Sequence, residues 1–233
     1  EKFAEEGCSL ILAARRLDKL QGLRERLQSS LAAGATVRVF QLDVTDPASL
    51  NAMLTELDGA AGAIDVLINS AGLALGLEPA WESDFADWET MVDTNIVGLL
   101  RMTRAILPGM VQRNAGHIIN LGSIAGAWPY PGGNAYGGTK AFVKNFSQAL
   151  RADVLGKNIR VTSIEPGMAK TNFSNIRFKG DAKAADKVYE NTQPLTAHDI
   201  AEIIYWVTSV PPHVNINSLE VMPVCQAWGP LAV

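Results

Sequence analysis

Cysteine is scarce in this chain. Among 233 residues only Cys8 and Cys225 occur, near opposite ends and without the Cys-x-x-Cys spacing of zinc or dithiol sites. Two free thiols in a reducing, cytoplasmic setting are expected, not a disulfide framework. His117, His198 and His213 share no ligand spacing, so no metal centre is expected. Positive charge is not in excess either. The 20 Lys and Arg are outweighed by 24 Asp and Glu, and they do not cluster, which excludes the electrostatic footprint of a nucleic-acid binder. No apolar run approaches the ~20 residues of a membrane span, so no membrane partner is expected. What remains is a chain with 48% hydrophobic and 19% charged residues, able to form a large core.

What is present is an alternation of two patterns. Continuous apolar runs such as CSLILAA (8–14), IDVLINSAG (64–72), GHIINLGS (116–123) and IRVTSIEPG (159–167) suit buried parallel strands. TVRVFQLDV (36–44) and NSLEVMPV (217–224) complete the strand set. Between them lie stretches with helical spacing: 17–28, 46–57, a pair ending near Asn114, 135–156 and 196–210. Asp46 followed by Pro47, and Thr196 followed by Asp199, read as helix starts. Residues 168–193 read as a polar, basic loop. The order predicts an α/β fold: a Rossmann-type, doubly wound parallel sheet with helices on both faces, forming one domain over 1–233. The opening EKFAEEG reads as the last turns of a helix with Gly7 as its C-cap, so the chain is expected to start inside an element.

In such sheets, ligands bind at the carboxyl ends of the strands. One strand ends at Ser123. Tyr136 and Lys140 follow, spaced i, i+4 at the start of a helix, so both reach one face. An ammonium beside a phenol favours the phenolate and would draw its pKa from ~10 towards neutrality. That would make Tyr136 a general acid or base, with Ser123 orienting a substrate oxygen.

These residues, with Asn-Ser-Ala-Gly at 69–72, Asn95, Pro166-Gly167 and Thr171, resemble the short-chain dehydrogenase/reductase family along nearly the whole chain. The resemblance implies that Tyr136 donates and accepts the proton. It implies that Lys140 holds the nicotinamide ribose and lowers the Tyr136 pKa, that Ser123 orients the carbonyl or alcohol, and that Asn95 supports a proton-relay water. Asp43 and Val44 would flank adenine. Asn69, Ala71 and Gly72 would line the cofactor channel, and Pro166, Gly167 and Thr171 would hold the nicotinamide end. A homotetramer is implied, with helices carrying 95–114 and 135–156 at one interface and the apolar stretch 223–233 covering a neighbouring subunit. The sequence departs from the family at two points. Ser70 stands where a second Asn is usual. The first strand and its glycine-rich turn are not seen, which implies roughly twenty further residues upstream.

The strand end expected to meet the cofactor ribose reads Ala14-Arg15-Arg16. No carboxylate there repels a 2′-phosphate, and guanidinium pairs with it in bidentate fashion, so NADP is the expected cofactor. Arg15 is the stronger candidate, since Arg16 also suits a solvated helix start. The segments 173–192 and 213–228 resemble the branch that oxidises 3-hydroxy acids such as L-serine, allo-threonine and 3-hydroxypropionate. A small acid needs a cationic partner. Arg177 is the candidate clamp, or else a surface or subunit contact. Trp128 and Tyr130 either wall the pocket or, beside Pro129 and Pro131, pack the loop. A carbonyl reductase of broader substrates, or a non-catalytic NADP-binding sensor or scaffold, stand as alternatives on the same fold.

Overall fold

The computed structural model describes residues 1–29, 31–57 and 64–228. The elements run α1 (Lys2–Glu5), β1 (Leu10–Ala14), α2 (Leu17–Gln28), β2 (Val37–Gln41), α3 (Pro47–Glu56) and β3 (Val66–Asn69). Then follow α4 (Phe85–Val92), α5 (Leu99–Arg113), β4 (Gly116–Leu121), α6 (Asn134–Asp153) and β5 (Ile159–Pro166). The remainder comprises β6 (Ala169–Lys170), α7 (Phe173–Arg177), α8 (Ala182–Lys187), β7 (Leu195–Thr196), α9 (Ala197–Ser209) and β8 (Ser218–Val221). Residues 229–233 of the expected subunit-covering stretch lie outside the described residues.

Adjacent residues of β4 show why the apolar runs are strands. Ile118 and Ile119 are both fully buried, yet in different clusters. Ile118 packs with Ile106 and Met110 of α5 and Leu150 of α6. Ile119 packs with Ile200, Ile204 and Val207 of α9. Side chains alternate across a strand, so helices cover both faces of the sheet.

All the ladders are parallel. β3, β4, β5 and β8 lie side by side in that order, and β1 pairs with β2 from Leu10↔Val37 to Ala14↔Gln41. Among the described residues no ladder joins β1 to β3.

The local start and stop signals act as read. Gly7 (φ 78°) follows α1, and the Gly7 and Cys8 N–H groups donate to Ala4 O (3.0 Å) and Phe3 O (2.9 Å), closing the helix end. The Asp46 side chain accepts from the Ala48 N–H, with Pro47 at the first helical position. Thr196 and Asp199 cap α9 reciprocally.

The expected loop 168–193 is ordered instead. It holds α7 and α8, and the two-residue strands β6 and β7 pair where the segment leaves and rejoins the body. The Asp181 side chain caps α8 by accepting from Lys183 and Ala184. Helices of five and six residues are too short to show a period in sequence.

Candidate active site

β4 delivers its last residues to the carboxyl edge of the sheet. Gly122 lies so close to β5 that a Cβ there would stand 3.1 Å from Glu165 Cγ. Ser123 then caps a short 3₁₀ turn, Ile124–Gly126, by accepting from the Ala125 N–H. A Cβ on Gly126 would lie 2.7 Å from the Lys140 backbone, so this turn is pressed onto α6. The packing brings the Ser123 hydroxyl close enough to the Tyr136 phenol to favour its ionised form.

Tyr136 and Lys140 share one face of α6, and both are buried. Lys140 Nζ lies 5.9 Å from the Tyr136 ring centre and donates to Leu121 O at 2.7 Å. Burial pushes the Tyr136 phenol up to about 12. The Ser123 hydroxyl and the Arg177 charge oppose the rise, while Tyr130 adds to it. Burial alone holds Lys140 down to about 8. Desolvation dominates, and the cation that acts on the phenol here is Arg177.

Asn95 lies in a wider π-type turn, Asp93–Gly98, that joins α4 to α5. It is almost wholly buried, and its amide is fully engaged. Oδ1 accepts from Leu73 N–H (2.9 Å), and Nδ2 donates to Leu73 O (2.8 Å) and Thr139 Oγ1 (3.0 Å). These bonds fix the chain after β3 against α6. Gly72 is thereby held where a Cβ would come within 3.2 Å of Asn95 Oδ1 and 3.4 Å of Lys140 Nζ.

Arg177, at the end of α7, faces the same place. Its Nε donates to Gly76 O (3.1 Å), and its own carbonyl accepts from the Gly76 N–H (3.0 Å). The guanidinium lies 5.6 Å from the Tyr136 ring centre and 5.4 Å from that of Tyr130. Its Nη2 is buried without a hydrogen-bond partner. A buried guanidinium nitrogen with no acceptor is costly unless a ligand supplies one. The segment is also tied to α4 by an ion pair, Lys179 to Asp87 at 2.7 Å.

Of the two loop aromatics, Tyr130 packs beside Tyr136, with Leu73 and Met91. Trp128 turns away. It is 40% exposed and donates from Nε1 to Glu220 Oε1 at 3.1 Å, so it does not form the expected pocket wall. Two prolines flanking two aromatics left their inward and outward assignment open in the sequence.

The expected cofactor residues lie at or just beyond the ends of β1, β2, β3 and β5. Arg15 and Arg16 are exposed, and the Arg15 charge helps hold the Asp43 carboxyl below its usual range, after hydrogen bonds from Thr45. Val44 packs so tightly against the turn before α5 that Gly98 has no room for a Cβ. Ala71 and Gly72 are exposed. Asn69 is turned inward, donating to Thr103 Oγ1 (3.1 Å) and Asn120 Oδ1 (2.8 Å). Gly167 N–H donates to Val221 O, and Thr171 Oγ1 accepts from Phe173 N–H. Among the described residues no three His, Cys, Asp or Glu side chains gather where a metal could sit, and no helix is long and apolar enough to cross a membrane.

The arrangement is a phenol, a hydroxyl and an ammonium at one strand edge, with a guanidinium facing them whose Nη2 has no partner. Comparison with known proteins finds dehydrogenases and reductases both by sequence and by fold. A sequence model of the family described as short chain dehydrogenase matches residues 1–181. The chain is 53% identical to the NADP-dependent 3-hydroxy acid dehydrogenase of Salmonella typhi, over all of this chain and 92% of that one. It is 47% identical to sulfoacetaldehyde reductase 2 of Chromohalobacter salexigens, over all of this chain and 91% of that one. The closed form of serine dehydrogenase complexed with NADP+ superposes with a TM-score of 0.93 at 52% identity, covering all of this chain and 92% of that one.

Proposed function

The chain belongs to the short chain dehydrogenase family, and from that premise we propose that it oxidises the β-hydroxyl of a small 3-hydroxy acid with NADP. L-Serine, allo-threonine and 3-hydroxypropionate are the substrate class, and the reverse reaction reduces the corresponding semialdehyde. The observation that carries this reading is the buried, unpartnered Arg177 Nη2 facing Tyr136. A carboxylate separated by one carbon from the reacting alcohol carbon satisfies that guanidinium while the alcohol oxygen meets the phenol.

The residues present fit NADP(H). Arg15 and Arg16 are exposed cations for the 2′-phosphate, and Asp43 and Val44 flank the adenine side. Asn69 supports the strand end from which Ala71 and Gly72 present open backbone. Lys140 holds the ribose, and Pro166, Gly167 and Thr171 the nicotinamide end. The cofactor, when bound, supplies the hydride chemistry.

The chain's own groups handle the proton and the geometry. In reduction Tyr136 donates its proton to the carbonyl oxygen, and burial keeps the phenol protonated at neutral pH for that step. In oxidation the phenol must first pass its own proton to the relay water beside Asn95 and Lys140, and its oxygen then receives the alcohol proton. Ser123 hydrogen-bonds the substrate oxygen and keeps it in line with the phenol. Asn95, through Leu73 and Thr139, fixes the space between Gly72 and Lys140 through which a relay water would pass.

A second reading keeps the site and changes the anion. A guanidinium pairs with sulfonate as with carboxylate, and a sulfoacetaldehyde reductase is among the relatives. The protein is further proposed to be cytoplasmic and a homotetramer, which sedimentation at graded concentrations tests.

The deciding experiment follows nicotinamide absorbance with L-serine, 3-hydroxypropionate and sulfoacetaldehyde, with NADP(H) and NAD(H) side by side. Turnover of hydroxy acids with NADP supports the reading. Activity confined to bulky neutral carbonyls would make it a broader carbonyl reductase. Tight NADP(H) binding with no turnover would make it a sensor or scaffold.

A further inference from the structure

The segment after β8 supplies none of the site residues named above. It turns at 223–226, where Gln226 N–H donates to Pro223 O at 2.9 Å. The Gln226 side chain then reaches the backbone beyond β5, and its Oε1 accepts from the Met168 N–H at 2.7 Å. That oxygen occupies the space a Cβ on residue 167 would need, with Met222 Cγ 2.9 Å from the same point. The turn is held from other sides as well. Gly167 N–H donates to Val221 O (2.7 Å), and Met168 O accepts from Leu195 N–H (2.9 Å). Towards the site, Pro166 O accepts from the Ser123 hydroxyl at 3.5 Å.

The far end of the segment is fixed by one carboxylate. Trp228 Nε1 donates to Glu220 Oε2 at 2.7 Å and Trp128 Nε1 to Glu220 Oε1 at 3.1 Å. The two indole rings pack 6.1 Å apart. Glu220 therefore ties the segment to the loop between Ser123 and Tyr136.

We propose that Gln226 is a positioning residue, holding the 166–168 backbone in place for the nicotinamide end of the cofactor; this rests on the NADP(H) reading above. A backbone donor in a half-buried turn needs a partner, and the one supplied to Met168 is a side chain. Gly167 and Gln226 form a matched pair. A glycine at 167 is what admits the carboxamide, and the carboxamide is what closes the turn. The role concerns one end of the cofactor only, since the adenine side is built on β1 and β2.

The test uses two substitutions in the full chain. Gln226→Leu keeps the volume and removes the acceptor, whereas Gln226→Glu keeps an acceptor. Each is titrated with NADPH and with adenosine 2′,5′-bisphosphate, which carries the adenine and 2′-phosphate but no nicotinamide. Gln226→Leu is expected to weaken NADPH binding about fivefold, the effect of one lost hydrogen bond, and to leave the bisphosphate unchanged. Gln226→Glu restores most of the NADPH affinity. Amide hydrogen exchange gives a reading independent of cofactor. The Met168 amide should exchange roughly tenfold faster in Gln226→Leu and remain protected in Gln226→Glu. Unchanged Met168 exchange in the leucine variant overturns the proposal, as does equal weakening of both ligands. Failure of the unaltered protein to bind either ligand sinks the NADP(H) reading instead, and the exchange rates then decide whether Gln226 holds the turn.

Discussion

The guanidinium of Arg177 stands 5.6 Å from the ring centre of Tyr136, while its Nε donates to Gly76 O and its carbonyl accepts from the Gly76 N–H. A permanent positive charge is thus docked beside the proposed proton donor by an element of only five residues. The charge does two things at once. It opposes the rise that burial imposes on the phenol, and it presents a free donor to an anion.

Arg177→Met should therefore act mainly on acids. Its kcat/KM for 3-hydroxypropionate is expected to fall roughly 10- to 100-fold, the range for a hydrogen bond to a charged group. A neutral alcohol of similar size should lose far less. Steady-state kinetics on both substrates decide it, and equal losses on both would count against an anion clamp.

Tyr136→Phe removes the proton donor and keeps the ring that packs at 5.6 Å on Phe173. Turnover should drop at least ~100-fold, in line with general acid–base contributions, while NADPH affinity is retained. Calorimetric titration beside the kinetic assay separates the two effects. Full activity in this variant would remove Tyr136 from the chemistry.

Arg15→Glu reverses the charge at the end of β1. NADPH should bind roughly 10- to 100-fold more weakly, the scale of a lost charge-assisted contact, with NADH affected much less. An unchanged ratio of the two dissociation constants would show that Arg15 does not read the 2′-phosphate.

His117 predicts an acid-side loss of stability. It is buried in β4 with Nε2 2.8 Å from Thr162 Oγ1, and burial, then the Arg160 charge, lower it from 6.5 to about 3. Between those two values the unfolded chain binds a proton that the fold excludes. Stability therefore falls as pH falls from 6.5 towards 3, by up to about 1.4 kcal/mol per pH unit from this group. Urea midpoints measured across that range should show a shallower slope in His117→Gln, and an identical slope would place the effect elsewhere.

The strands and long helices were legible because their periods extend over enough residues to register. The site was legible where position along an element sufficed. Ser123 follows a strand, and Tyr136 and Lys140 are one helical turn apart, so their meeting was implied before any tertiary contact was known. What depended on packing was not legible. The rise in the Tyr136 pKa comes from desolvation by residues far along the chain, and no local pattern encodes it. Tyr130 and Trp128 could not be told apart by neighbours in sequence. Gly133, whose missing Cβ leaves the Tyr130 ring 2.8 Å of approach, is what lets the tyrosine turn inward. α8 is held by the Asp181 cap, and the stretch between α7 and α8 by the Lys179–Asp87 pair, rather than by periodic burial.

The pairing of β6 with β7 brings the two ends of the intervening segment to one point on the body. A span whose ends meet can change in length or sequence at little cost to whatever lies outside it. Tyr136, Lys140, Ser123 and Asn95 all belong to the body, whereas Arg177 belongs to the span. On the proposed reading, the groups that move the proton thus stand on the sheet and its helices, and the anion clamp stands on a separable span.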